Sequence, residues 1–547
     1  MQVHNCKDIL CGMTSELPHA IDPHTSDDVA ALRSQVLEQL QTIAERDQHI
    51  ARRDALIAER DAIIAGRDRD IVYKDAKIAR LTHEIARLKR WMFAARSERM
   101  DPAQRALFEE SVAADIAALE VQLDALREPT PATPPRDPPK REALPDHLPR
   151  VETRHELESC QCAACGSTLV PIGEDVTELL DCEPVTFFVQ RHVRPKYTCR
   201  TCETITAAPV PAAIIDRGRP APGLLAQVLI AKYADHLPLY RQEQIYQRSG
   251  VELARSTLAG WVGACGVALT PLVEAMKAEL LSLPVLHADE TPVAQLDPGA
   301  GKTHRSYLFV YRSADPMADI TIFDYCQTRS GEHAKRFLGD WRGALMVDDF
   351  GGYKALFPQI TELACWAHAR RKFYDLVESR SSTRAHEVLE PIAQLYHLEG
   401  NAKGLDPPQR CAYRQLHAAP ILDRIRQWMA DLRPTVADGT GLAKAIDYTH
   451  KRWIALTRYL DDGRYPIDNN QAENAIRPIV LGRKNWLFTG SEAAGERAAA
   501  IMSLIATAKN HGHDPHAYLR DVLTRLPTHP DRRIGELLPH RWQVTTA

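Results

Sequence analysis

Two features that would classify this chain at once are missing. There is no excess of charge of either sign: 68 Lys and Arg stand against 72 Asp and Glu, a net −4 over 547 residues. A protein that simply coats nucleic acid carries a global basic field, so that class is excluded, while local basic surfaces are not. Long hydrophobic runs are missing too. No stretch reads as long enough to span a bilayer, and the opening MQVHNCKDILCGMTSELPHA has no basic start followed by an apolar segment. Neither a membrane anchor nor a signal peptide is expected, and the expected location is the cytoplasm. Cysteine is sparse, 12 in all, and scattered except for a group between Cys160 and Cys202. In a chain without a secretion signal, that grouping reads as metal binding in a reducing compartment and not as a disulfide framework. The length allows several domains and at least one sizeable core.

Residues 1–26 read as a tail. From 27 to 127 turn signals are almost wholly missing, and isoleucine recurs every seventh residue at Ile43, Ile50, Ile57, Ile64, Ile71, Ile78 and Ile85. A seven-residue spacing keeps one stripe of a helix facing a partner, as in a coiled coil, so this region is expected to associate copies of the chain. The second seam position is Arg46, Arg53, Arg60, Arg67 and Lys74 before it becomes Leu81 and Leu88. A dry zipper is therefore expected only in the last third. For the earlier part the alternative is a solvated single helix with intrahelical ion pairs. Trp91 and Phe93 then lie among the basic residues of LKRWMFAARSERM, which suits either a DNA contact or a charged helix face. Residues 128–150 are Pro-rich and read as a stiff, extended linker.

A new unit is expected over 151–210. Cys162 and Cys165 form one Cys-x-x-Cys turn and Cys199 and Cys202 another, with strand-like residues between them. Each turn places two thiolates on one side, and four thiolates close a tetrahedral zinc site of structural type. Cys160 and Cys182 fall outside that spacing. Residues 217–275 read as helices near 222–235 and 239–248, a turn at 249–252 around Gly250, and a third helix opening at the hydroxyl caps Ser256 and Thr257. This is the pattern of a helix-turn-helix, with Arg255 a candidate DNA contact, although ordinary helical hairpins share it. The run from Arg217 to Pro220 suits a minor-groove hook or a Pro-ended loop.

After Pro284 the pattern turns to strands. Residues 285–289 are an apolar run ending in Asp289, strands follow near 306–311 and 320–323, and a helix near 331–338 leads to a second apolar run ending in Asp348. A further strand near 360–365 leads into a helix over 366–374. Three strands, helix, strand, helix, strand, helix is the order of an α/β ribonuclease-H-like domain, expected here over 283–520 with residues 521–547 as a C-terminal tail. In that fold the first and fourth strands lie side by side, so Asp289 and Asp348 at their ends would meet. Residues 380–465 read as an all-helical insertion. Asp468 and Gln471 have capping-box spacing, which would put Glu473 in the first turns of the following helix. Three carboxylates on two strands and a helix can hold two divalent ions for phosphodiester chemistry, and hard oxygen ligands suit Mg²⁺ or Mn²⁺. Arg370, Arg371, Lys372, Arg477, Arg483 and Lys484 could hold DNA phosphates nearby, and Trp486 could stack on a distorted base; surface solvation is the alternative.

Taken together, FAARSERMDPAQRALFEE, YTCRTC, KYADHLPLYRQEQIY, HADETPV, ACWAHARRKF, DNNQAENAIRPIVLGRKNWLF and GERAAAIMSLIATAK resemble the insertion-sequence-66 family of bacterial transposases, from about Trp91 to the C-terminus. The resemblance implies an Asp-Asp-Glu triad falling on Asp289, Asp348 and Glu473. Asp349 stands where the family usually has a small residue. The spacing to Phe350 and Tyr353 selects Asp348. A Cys-x-x-His element falls on Cys365 and His368; it could bind metal, and a packing or active-site support role is the preferred reading. The resemblance further implies 3′-end hydrolysis and strand transfer on terminal inverted repeats, and two small accessory proteins of the same element.

Overall fold

The computed structural model describes residues 26–94, 102–126, 144–146, 148–157, 159–183, 186–215, 218–297 and 302–543. It divides into two units, Met1–Arg80 and Leu81–Ala547. The described part of the first unit is the start of helix α1 (Ser26–Ala94), in which Ile43, Ile50, Ile57, Ile64 and Ile71 are all more than half exposed. The heptad stripe is therefore a continuous apolar line on a helix, uncovered by the unit itself. Where the seam turns apolar, in the second unit, Leu81, Ile85 and Leu88 are buried, and Lys89 pairs with Glu120 of α2 (Pro102–Leu126) at 3.0 Å. The stretch expected to zip with another copy is thus closed within one chain. The side chains of Trp91 and Phe93 lie outside the described residues, as does Arg217.

The second unit is laid on two sheets. The first contains β1 (Arg150–Arg154), β2 (Leu169–Glu183), β3 (Thr186–Cys199) and β4 (Ile205–Ala207), ordered β1-β3-β2 with β4 also on β3. The long β2–β3 hairpin puts Leu180, Cys182, Phe187 and Val189 into a core shared with the helices that follow. These are α3 (Pro222–Tyr233), α4 (Leu239–Arg248) and α5 (Arg255–Leu280). The three-helix pattern was expected, but two details differ. The opening of α5 has no hydroxyl cap; the Glu243 carboxylate accepts from Arg255 N–H at 3.0 Å instead. More important, α5 does not stop near 275 but runs on through the main core, with Leu258, Val262, Leu269, Leu272 and Met276 buried. Its small residues allow this: a Cβ on Gly263 would collide with the Ala114 carbonyl of α2. By length and composition α5 is also apolar enough to cross a membrane, contrary to the reading of the sequence, and 56% of that apolar window is buried inside the fold.

The second sheet is built from β5 (Val285–Asp297), β6 (Lys302–Ser313), β7 (Thr321–Cys326), β8 (Ala344–Val347) and β9 (Thr361–Ala364), with α6 (Gly331–Leu338) joining β7 to β8. The order is β7-β6-β5-β8-β9; the first three strands are antiparallel, and β8 and β9 run parallel to β5. The β8–β9 link is a 3-10 turn, Gly351–Leu356, not an α-helix. After α7 (Trp366–Glu378) come α8 (His386–Asn401), α9 (Pro407–His417), α10 (Ala419–Leu432), α11 (Gly441–Lys451) and α12 (Trp453–Thr457). They enclose their own core of Val388, Ile392, Leu422, Ile425 and Ile446, into which α7 inserts Trp366 and Phe373. The chain returns in α13 (Asn470–Trp486), α14 (Glu492–Asn510) and α15 (Pro515–Arg525). Edge strand β7 does not expose its free donors: Phe323 N–H goes to Ser503 Oγ at 2.8 Å and Thr321 N–H to Thr507 Oγ1 at 3.1 Å, both on α14. The expected tail is another correction. Val522, Leu523, Leu537, Leu538 and Trp542 are buried, and Tyr518 Oη donates to Leu537 O at 2.9 Å. Prolines break this segment into pieces too short to show a period, yet its apolar residues fill the main core.

Candidate active site

The register between β5 and β8 brings the first two acids together. His287 pairs with Met346 in the parallel ladder, and Asp289 and Asp348 each lie two residues further on. Equal, even offsets put both acids at one level and on one face of the sheet. Asp289 is not at a strand end, as the sequence suggested; β5 continues to Asp297 against β6, and only its pairing with β8 has ended. Asp348 does follow the end of β8 directly. Its Oδ1 accepts from Phe350 N–H at 2.8 Å, which turns the chain sharply away.

Burial pushes the Asp289 carboxyl up to about 8, reinforced by the charges of Glu290, Asp348 and Glu473. Glu290 is otherwise engaged: it accepts from Arg329 Nε at 2.8 Å and Tyr353 Oη at 3.1 Å, and Arg329 stacks over Phe350. Glu290 thereby ties β5 to the turn carrying Asp348. Asp349 points elsewhere, to Arg452, whose guanidinium also donates to Asp348 O at 3.1 Å and Glu362 at 3.0 Å.

Glu473 sits in the first turn of α13 and lines a groove with Asp289, Glu290, His368 and Arg477. The expected capping box is not what starts this helix. Asp468 accepts from Asn470 N–H at 3.1 Å, and the N-cap residue is Asn469, whose side chain turns inward. Fully buried, Asn469 donates from Nδ2 to Ala288 O at 2.9 Å and meets His287 Nδ1 at 3.0 Å through Oδ1, while its backbone N–H reaches Cys365 Sγ at 3.2 Å. Because Oδ1 can only accept, His287 must carry its proton on Nδ1. Burial holds His287 down to about 4, so it is neutral. Asn469 thus joins β5, the β9–α7 junction and α13, the elements that bear Asp289, His368 and Glu473. Reading the sequence passed it over, since the Asp468-to-Gln471 spacing drew attention to the flanking residues. Cys365, at the N-cap of α7, is buried and its thiol is pushed up to about 12. His368 Nδ1 lies 3.6 Å from Glu473 Oε1.

The cation candidates divide. Arg370, Arg371, Lys372, Arg477 and Lys484 are exposed; Arg370 and Arg371 line a second groove with Tyr374 and Asn470, and Arg477 lines the groove of Asp289 and Glu473. Three others are occupied. Arg255 pairs with Glu109 of α2 at 2.8 Å, Arg483 donates to Pro292 O at 2.8 Å, and Trp486 packs against the core under α13.

At the far end of the β2–β3 hairpin the four cysteines converge. Sγ–Sγ separations are 3.4 Å for Cys162–Cys202, 3.3 Å for Cys165–Cys199 and 3.6 Å for Cys165–Cys202, near the roughly 3.8 Å edge of a tetrahedral zinc–thiolate site. The two turns are built alike. Gly166 N–H returns to Cys162 O and Glu203 N–H to Cys199 O, both at 2.8 Å, with Gly166 at φ 71° and Glu203 at φ 57°. Cys160 is exposed and Cys182 is buried away from the cluster.

Known proteins align with this layout segment by segment. Residues 217–497 match the family described as Transposase IS66 family, 503–540 its C-terminal element, 159–203 the zinc-finger binding domain of transposase IS66, and 80–153 the domain described as Transposase C of IS166 homeodomain. Among curated relatives, the uncharacterized protein y4jD of Sinorhizobium fredii (strain NBRC 101917 / NGR234) is 35% identical over 84% of this chain and 93% of its own length. The uncharacterized proteins y4hP and y4qI of the same organism are 34% and 36% identical, over 84% and 83% of this chain and 88% and 87% of theirs. With a zinc-finger module, a transposase domain and the family's C-terminal element in one order, the chain belongs to the IS66 family of insertion-sequence transposases.

Proposed function

We propose that this transposase recognises the terminal inverted repeats of its element, hydrolyses the 3′ ends and joins the freed 3′-hydroxyls to target DNA, with Asp289, Asp348 and Glu473 as its catalytic carboxylates. The observation that carries the reading is the equal offset of Asp289 and Asp348 past the last pair of two adjacent parallel strands, with Glu473 brought by α13 to the groove that Asp289 lines. The strand order β7-β6-β5-β8-β9 supports a ribonuclease-H-like fold, interrupted by the helical insertion α8–α12. The pairing of Asp349 with Arg452 supports Asp348 as the second acid.

The donor set fits hard divalent ions. The charges of Asp348 and Glu473 both act on Asp289 and help keep a proton on it, a repulsion that Mg²⁺ or Mn²⁺ would relieve. Such ions, when bound, supply an activated water or 3′-hydroxyl and stabilise the departing oxygen. The chain's own part is placement. Glu290 and Asn469 hold the acids in register, while Arg370, Arg371, Lys372, Arg477 and Lys484 offer phosphate contacts on the exposed side. Arg255, Arg483 and Trp486 have partners inside the fold and contribute to DNA binding only if those contacts open. From Leu258 to Gly266 α5 faces the core, so at its N-terminal end the surface open for groove reading is the first turn, at Ser256 and Thr257. The four-cysteine cluster, with its four thiols within 4.8 Å of one another, would hold a structural zinc. The isoleucine stripe of α1 associates copies of the chain, two small accessory proteins of the element act with it, and the work is done in the cytoplasm at the nucleoid.

The test is an assay with full-length protein, the accessory proteins, element-end duplexes and Mg²⁺. Cleaved and joined products are expected, both falling to background in Asp289→Asn, Asp348→Asn and Glu473→Gln. Cleavage without joining would reassign the protein as a nuclease. Products that persist in all three variants would remove the acids from the mechanism.

A further inference from the structure

We propose that Cys365, His368 and Glu473 form a further metal site, selective for a soft ion such as Zn²⁺ and sharing Glu473 with the hard-ion site. The Cys365 thiol, a His368 ring nitrogen and a Glu473 carboxylate oxygen all lie within 4.8 Å of one another. In tetrahedral zinc coordination an imidazole nitrogen and a carboxylate oxygen are separated by about 3.4 Å. Here His368 Nδ1 and Glu473 Oε1 are 3.6 Å apart.

That distance is too long for a good hydrogen bond. Both atoms are nevertheless removed from solvent, and neither has a hydrogen-bond partner. Buried polar atoms without partners are rare enough to require an explanation, and an ion is one of the few that serves both at once. The local fold fixes the arrangement. Cys365 and His368 are three apart at the start of α7, so they face the same way. Asn469 holds the thiol by its backbone N–H and starts the helix that delivers Glu473. His368 and Glu473 also line the groove, which leaves the fourth position open to solvent or to a substrate oxygen. Three protein ligands with one open position is the arrangement of an exchangeable zinc, unlike the closed tetrathiolate cluster. Sulfur and imidazole donors select Zn²⁺ over Mg²⁺, whereas the oxygen-only set of Asp289 and Asp348 does the reverse. Zinc held here would occupy Glu473 Oε1. That consequence, competition with the hard ions, rests on the function proposed above; the site itself does not.

The experiment is zinc stoichiometry of full-length protein equilibrated against buffered free Zn²⁺, together with the absorption spectrum of the Co²⁺-substituted protein. Wild type should hold two equivalents. Cys365→Ser and His368→Gln should each hold one, and Cys365→Ser should lose part of the thiolate-to-cobalt charge-transfer band. Asp289→Asn should retain both equivalents. One equivalent in wild type overturns the proposal. So does loss of the second equivalent in Asp289→Asn with retention in Cys365→Ser, because the ion would then sit at the hard-ion carboxylates. None of these readouts needs DNA, so failure of the transposition assay and failure of this site are distinguishable.

Discussion

At the scale of single residues, Asp289 has the most consequential environment. Folded, it keeps its proton to about pH 8; unfolded, it loses it near the ordinary carboxylate value of about 4. Between those values folding takes up a proton. The contribution of Asp289 to the stability of the metal-free protein therefore falls as pH rises, by up to about 1.4 kcal/mol per pH unit. His287, held down to about 4, acts in the opposite sense below about pH 6.5, but it is common to wild type and variant. Urea unfolding of the metal-free protein at several pH values from 5 to about 8 should show Asp289→Asn gaining on wild type as pH rises. Parallel curves would mean that the carboxyl is not desolvated. Asn469 is the second residue to test. Asn469→Ala leaves the Ala288 carbonyl and the His287 Nδ1–H without partners, and each such buried group costs about 1–3 kcal/mol. A measured loss below about 1 kcal/mol would remove it as the joint between the three elements.

At the scale of elements, the zinc knuckles and the strand-end acid Asp348 were legible because their information is local. A Cys-x-x-Cys turn positions its own thiols, and the two turns here repeat the same return hydrogen bond. The cluster should also hold the end of the β2–β3 hairpin. Cys199→Ser is expected to release zinc and to lose amide protection around residues 160–170 and 197–206, with the sheet of β5–β9 unaffected in hydrogen exchange. Unchanged protection at the knuckles would show that the strands stand without the metal. Other elements misled for a physical reason. The start of α5 offered Ser256 and Thr257 as caps, but a glutamate from α4 was already in place. The C-terminal segment has no period to read, and its burial depends on packing against α5, remote in the chain, where His540 meets Glu279 at 2.6 Å.

At the scale of the whole molecule, the heptad stripe of α1 and the buried end of that pattern call for different treatment. Five isoleucines, from Ile43 to Ile71, are more than half exposed, a continuous apolar line of the kind that marks an association surface. Ile50→Lys, Ile57→Lys and Ile64→Lys together should reduce the mass in sedimentation equilibrium to that of one chain. Leu81, Ile85 and Leu88 are buried in one chain, so charges placed there should destabilise the fold before they change its assembly. An unchanged mass in the triple variant would rule out the stripe as the contact.

The amino-acid sequence by itself determined whatever depends on spacing along the chain: the heptad line, the paired cysteines, the strand-and-helix order except at the β8–β9 link, and the acids that lie level once two strands are adjacent. Side-chain direction repeats every two residues in a strand and about every 3.6 in a helix, so such features survive without knowledge of the rest. Only the tertiary structure decided which charged and polar groups were already taken. Glu109 holds Arg255, Arg452 holds Asp349, and Glu290 is absorbed by Arg329 and Tyr353. Each of these partners lies 39 to 146 residues away. Desolvation and pairing energies depend on what folding brings alongside a group. For the same reason the three acids could be proposed from the sequence, while the groups that hold them in register, Glu290 and Asn469, emerged only from the fold.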